Sequence, residues 1–171
     1  MRLASRTALI VLVLVLLSVS IGRSASAADS DAEGTWLWPL DGARRIAEPF
    51  RAPAHEYGAG HRGVDLVASP AAVVRAPADG VVAFRGTVVD RALLTIEHEG
   101  GFVSTFEPVT STLDPGDAVS AGDEIGVLAV GGHAAAGTLH VGVRLEGDYI
   151  NPMLMFGSVP RSVLLPCCDA L

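Results

Sequence analysis

The chain has 171 residues, half of them apolar, 18% charged and 5% aromatic; 12 Arg, no Lys and 19 acidic residues give a formal charge of −7. This balance predicts a compact domain and excludes a disordered chain, which needs low hydropathy and dense charge. An acidic protein repels phosphates, which excludes nucleic acid as the main partner.

At the N-terminus, Met1–Arg6 is a short basic stretch without acids, Ala8–Leu17 is purely aliphatic, and Ala25-Ser26-Ala27 offers small residues at a cleavage position. This three-part layout predicts a signal peptide over residues 1–27, cleaved near Ala27/Ala28, and export to the cell envelope or beyond. The apolar run is well short of the roughly 20 residues that span a bilayer, so no stable membrane insertion is expected after cleavage. Removal takes away Arg2, Arg6 and Arg23 and leaves 9 Arg against 19 acids, a net charge of −10. No cysteine follows the run, so lipid attachment is not expected.

Residues 28–35 are small and acidic and read as a short flexible leader. Trp36-Leu37-Trp38-Pro39-Leu40 opens the ordered domain, expected over residues 36–156, with two large anchors for one end of the core. Residues 51–63, rich in Gly and Pro and holding His55 and His61, read as a loop. Short apolar runs follow at Val73–Arg75, Gly80–Phe84, Leu93–Ile96, Phe102–Phe106, Glu124–Leu128 and Leu139–Leu145. Between them lie Ala78-Asp79-Gly80, Glu99-Gly100-Gly101, Asp114-Pro115-Gly116-Asp117 and Ala121-Gly122-Asp123, where Gly, Asp and Pro each favour a turn. Alternation is clearest in the last run: Leu139, Val141, Val143 and Leu145 share one face, and His140, Gly142 and Arg144 the other. Nineteen Gly and ten Pro and no sustained helical period predict an all-β fold, an antiparallel sandwich or small barrel. Residues 157–171 read as a C-terminal tail. Its adjacent Cys167 and Cys168 would close only a strained ring, leaving a frayed tail or, less readily, a disulfide-linked dimer.

The segment Gly60-His61-Arg62-Gly63-Val64-Asp65 places an imidazole and a carboxylate four residues apart where a Gly-rich loop enters a strand. With His140 alongside, His61, Asp65 and His140 make a three-ligand zinc site with a fourth position for water. Such an ion polarises a carbonyl and lowers the pKa of its water. On spacing alone, a histidine is more often a surface or structural residue than a ligand.

His61-Arg62-Gly63-Val64-Asp65-Leu66 resembles the His-x-Gly-x-Asp motif of the LytM/lysostaphin-like zinc endopeptidases, which cut the stem and bridge peptides of bacterial peptidoglycan. The resemblance continues through Val74–Val82, Ile96–Gly101, Val119–Gly126 and Tyr149-Ile150-Asn151-Pro152. It implies that family's β core, zinc as cofactor, and His61, Asp65 and His140 as its ligands. Two departures stand out. Where the family reads His-Leu-His, with the first His catalytic, this chain has Thr138-Leu139-His140. Where the family places a second catalytic His two residues after an aromatic, Pro108 follows Phe106-Glu107. Losing one such base or donor commonly costs about 10²–10³ in rate, so impaired hydrolysis is expected. His133 and Glu107 are the candidates to compensate, with His55 behind them; Tyr57 and Arg62 read as packing or solubility residues. His98 reads as structural.

The implied function is therefore an exported zinc-endopeptidase-family domain acting on peptidoglycan peptides with impaired catalysis. The alternative is a non-catalytic member that binds peptidoglycan or regulates another wall hydrolase. The turn grammar around Asp79-Gly80 and Gly122-Asp123 also resembles biotinyl and lipoyl carriers, but these require a modifiable Lys, and the chain has none.

Overall fold

The computed structural model describes residues 36–55, 57–132 and 135–157. The predicted signal peptide, leader and cysteine tail lie outside these residues. The β-branched and apolar runs become antiparallel strands, as their alternation dictates. In chain order they are β1 (Ile46–Glu48), β2 (Val64–Val67), β3 (Val73–Arg75), β4 (Gly80–Val88), β5 (Arg91–Glu97), β6 (Phe102–Glu107), β7 (Val109–Thr110), β8 (Ala118–Val119), β9 (Glu124–Leu128), β10 (Thr138–Leu145) and β11 (Asp148–Ile150). One sheet runs β1-β2-β10-β6-β5-β4-β8, with β11 paired to β10; a second sheet runs β3-β9-β7. The all-β antiparallel expectation is borne out.

Every predicted apolar run is a strand, though Gly80–Phe84 extends to Val88 through exposed Phe84 and Arg85. Strands β1, β7, β8 and β11 have no counterpart in the sequence reading. Each is two or three residues long, too short for a period to register, and is defined by its neighbours' hydrogen bonds.

The core joins side chains of both sheets: Leu66 from β2, Phe106 from β6 and Leu139 and Val141 from β10 meet Val74 from β3 and Ile125 from β9. Trp36 is the predicted anchor, with its ring 5.9 Å from Phe102 and 6.4 Å from Phe156; Trp38 packs 5.2 Å from Phe156.

Three central strands alternate in phase, and this builds the site. Val64 and Leu66 of β2, Phe106 of β6, and Leu139 and Val141 of β10 are fully buried in the core. The intervening residues therefore point to the opposite face. The register pairs His140 with Asp65 on one side and with Glu107 on the other, so Asp65, His140 and Glu107 form one row across the sheet.

Candidate metal centre

The loop predicted over residues 51–63 is closed at its neck. Arg51 and His61 exchange backbone hydrogen bonds of 3.0 and 2.9 Å, which fixes His61 just ahead of β2. Its Nδ1 lies 2.8 Å from the Pro49 carbonyl. A carbonyl only accepts, so Nδ1 carries a proton and Nε2 is the nitrogen turned toward the sheet.

That nitrogen meets two further donor atoms. His61 Nε2 is 3.1 Å from Asp65 Oδ1 and 3.2 Å from His140 Nδ1, and His140 Nδ1 is 2.7 Å from the same Asp65 oxygen. All three residues are buried. Burial by itself pushes the Asp65 carboxyl upward, but the hydrogen bond to His140 and the charges of His140 and His61 outweigh it, and its pKa is lowered. One proton on His140 Nδ1 satisfies its contact with Asp65. His61 Nε2 and His140 Nδ1 thus both face one carboxylate oxygen, an arrangement that a cation held between the three atoms satisfies. The donor set suits a metal: two imidazoles and one carboxylate are a three-ligand zinc set. Bonds of about 2.0–2.1 Å in a tetrahedron place neighbouring donors roughly 3.3 Å apart; two of the separations here, 3.1 and 3.2 Å, are close to that, and the third, 2.7 Å, is shorter.

The group lines an open cleft of about 800 Å³, with Arg51, Arg62, Arg91, Glu107 and Tyr149 on its walls. Of the compensating candidates, Glu107 reaches this cleft. It is buried, and its Oε2 accepts from Arg91 Nε at 2.6 Å. Among the described residues it does not join the three-donor group. His55 is exposed, and His133 lies outside the described residues. Arg62 lines the cleft while donating to the Gly58 carbonyl at 3.2 Å; Tyr57 is 86% exposed.

Thr138 is buried, and its hydroxyl donates to the Ala135 carbonyl at 2.6 Å. Pro108, which follows Glu107 through a cis bond, has no N–H to donate. His98 sits elsewhere: Nδ1 donates to the Asp79 carbonyl at 2.8 Å, Nε2 accepts from Ser104 Oγ at 2.7 Å, and its ring lies 4.6 Å from Trp36. Burial lowers its pKa, so it is held as the neutral, twice-bonded ring.

Two contributors escaped the sequence reading. Gly63 lies under His140: a Cβ there would come within 2.5 Å of the ring's Nε2 and of the Val141 carbonyl. Gly63 stands inside the quoted motif, so the motif was its signal. Arg91 carries no local signal at all, because its partner is 16 residues away on another strand.

Comparison with known proteins agrees with this architecture. Residues 59–152 match the family described as Peptidase family M23. The chain is 34% identical over 129 residues to an uncharacterised protein of Mycobacterium tuberculosis, covering 72% of this chain and 52% of that one. It is 28% identical over 122 residues to the murein hydrolase activator NlpD of Escherichia coli, covering 70% of this chain and 30% of that protein. The chain thus spans about half the length, or less, of these curated relatives. A zinc-containing peptidase from Vibrio cholerae shares the fold, with a TM-score of 0.61 at 22% identity over 71% of this chain and 40% of that one. With the family match spanning more than half of its residues, the chain belongs to peptidase family M23.

Proposed function

We propose that this protein is an exported domain that holds zinc through His61, Asp65 and His140 and acts at the bacterial cell wall on peptidoglycan stem or bridge peptides, with hydrolysis impaired. The observation that carries the metal assignment is the convergence of His61 Nε2, Asp65 Oδ1 and His140 Nδ1, two imidazoles and one carboxylate in the combination that zinc takes. Bound there, zinc supplies Lewis acidity toward a peptide carbonyl and a water of lowered pKa. The chain's own part is to fix the ligands and to line the cleft for an extended peptide. Impairment rests on Thr138 and Pro108, neither of which is a base near neutral pH.

Export rests on the three-part layout of residues 1–27; the N-terminus of the secreted protein is then expected near Ala28. Among the described residues no helix is long and apolar enough to cross a membrane. A second reading, binding to peptidoglycan or regulating another wall hydrolase without cutting, is favoured by the likeness to a murein hydrolase activator together with the same two positions.

The test is elemental analysis of the purified protein after dialysis against metal-free buffer. About one zinc per chain is expected from a single three-ligand site. Asp65→Ala should weaken zinc affinity by about a hundredfold or more, beyond the loss usual for an outer-shell partner. Full zinc content in that variant removes Asp65 from the site. No zinc in the native protein, even after reloading, leaves only the binding or regulatory reading.

A further inference from the structure

The row across β2, β10 and β6 raises a question of number. Asp65 and Glu107 are both register partners of His140, on opposite sides, and both face the cleft. Directly opposed residues on neighbouring strands have Cβ atoms about 4.5–5.5 Å apart, and Glu has one more methylene than Asp with which to reach inward. Yet Asp65 joins the donor group and Glu107 does not.

What separates them is Arg91. Its Nε donates to Glu107 Oε2 at 2.6 Å, a short charge-assisted bond, while its Nη1 reaches Asp90 at 3.3 Å. The arginine is itself braced. The backbone after β9 lies against it so closely that a Cβ on Gly132 would come within 2.5 Å of Arg91 Cδ, and one on Gly131 within 2.5 Å of the Asp90 carbonyl. Both glycines have positive φ, 136° and 79° for Gly131 and Gly132, which lets the chain lie there. Loop, arginine and carboxylate form one clamp beside the donor group.

We propose that Arg91 is a positioning residue that holds the Glu107 carboxylate off the metal, so that the row Asp65–His140–Glu107 contributes two ligands rather than three. This rests on the reading that His61, Asp65 and His140 hold the ion. The consequence is electrostatic. One carboxylate leaves a divalent ion with a net charge of about +1; a second would cancel it and reduce its power to polarise a carbonyl or a water. Without Arg91, Glu107 is a buried carboxylate in need of a cation; Arg51 and Arg62 of the same cleft are engaged with Glu48 and the Gly58 carbonyl, whereas the ion would sit beside His140, the direct register partner of Glu107.

Cobalt substitution reads this directly, because its visible spectrum reports the ligand set without relying on turnover. Native protein, Arg91→Met, Glu107→Gln and the double variant are each loaded with Co²⁺ and titrated in competition with Zn²⁺. Arg91→Met should alter the spectrum and tighten zinc binding about tenfold, the scale on which outer-shell partners move metal affinity. The double variant should return both to native, which loss of packing alone does not do. Glu107→Gln should match native protein, and it keeps the test sharp if Arg91→Met does not fold. The proposal is overturned by an unchanged spectrum in Arg91→Met, by a change that persists in the double variant, or by an altered spectrum in Glu107→Gln, which would place Glu107 on the metal already. A native protein that takes up neither ion overturns the underlying ligand assignment and the proposal with it.

Discussion

His61 Nε2 and His140 Nδ1 stand 3.2 Å apart, although 79 residues separate them in the chain. Two devices produce this approach. The Arg51–His61 bridge and the Pro49 carbonyl orient the first ring, while register with β2 places the second beside Asp65. With Nδ1 of His61 committed to a carbonyl, its Nε2 is the nitrogen left to meet Asp65 and His140.

Gly63 is the support under this arrangement. A methyl group there collides with both the His140 ring and the Val141 carbonyl, and the backbone oxygen cannot swing aside. Gly63→Ala should therefore displace His140, cost about 1–3 kcal/mol of stability as overpacking does, and lower zinc affinity. Thermal unfolding with and without zinc separates the two effects: the variant should lose most of the stabilisation that added zinc confers.

Thr138 and Pro108 bear on turnover. If these two positions limit hydrolysis, Thr138→His together with Pro108→His should raise cleavage of a peptidoglycan peptide over the single variants, by up to about 10²-fold. The assay is product release from purified peptidoglycan at saturating zinc. Equal, background rates in a folded, zinc-loaded double variant would show that the cleft lacks more than two imidazoles.

His98 predicts a pH dependence separate from the metal centre. Its folded pKa is lowered by burial, whereas in the unfolded chain the ring takes up a proton near pH 6.5. Between these values the unfolded state binds more protons. Stability is therefore fully present above about pH 6.5, falls as pH drops below it, and levels off once the folded ring also protonates. Asp79, Glu97 and Glu99 line the same cleft as His98. Denaturant midpoints at pH 7.5 and 5.5 should differ less in His98→Gln than in native protein, and an equal difference in both would assign the effect to other histidines.

Much of this protein is legible from residue order alone. Alternation in Leu139–Leu145 assigns His140 to the face away from the core, because side-chain direction in a strand repeats every two residues. The turn chemistry separates the strands, and the two-Trp opening marks one end of the core. The His61–Asp65 spacing and His140, read with the motif they resemble, point to the three side chains that converge. These features are local, or carried by short contiguous motifs.

Tertiary structure decided what depends on register and on distant neighbours. Strands of two or three residues, such as β7 and β8, exist only because a partner supplies their hydrogen bonds. The row Asp65–His140–Glu107 follows from the pairing of β2, β10 and β6, which no single segment encodes. That Glu107 turns to Arg91 rather than joining His61, Asp65 and His140 is likewise a matter of packing, since the guanidinium arrives from β5 and is braced by the glycines after β9. Which donor types can converge is thus written in residue type and spacing, whereas whether Glu107 joins them is decided by the guanidinium that folding brings alongside.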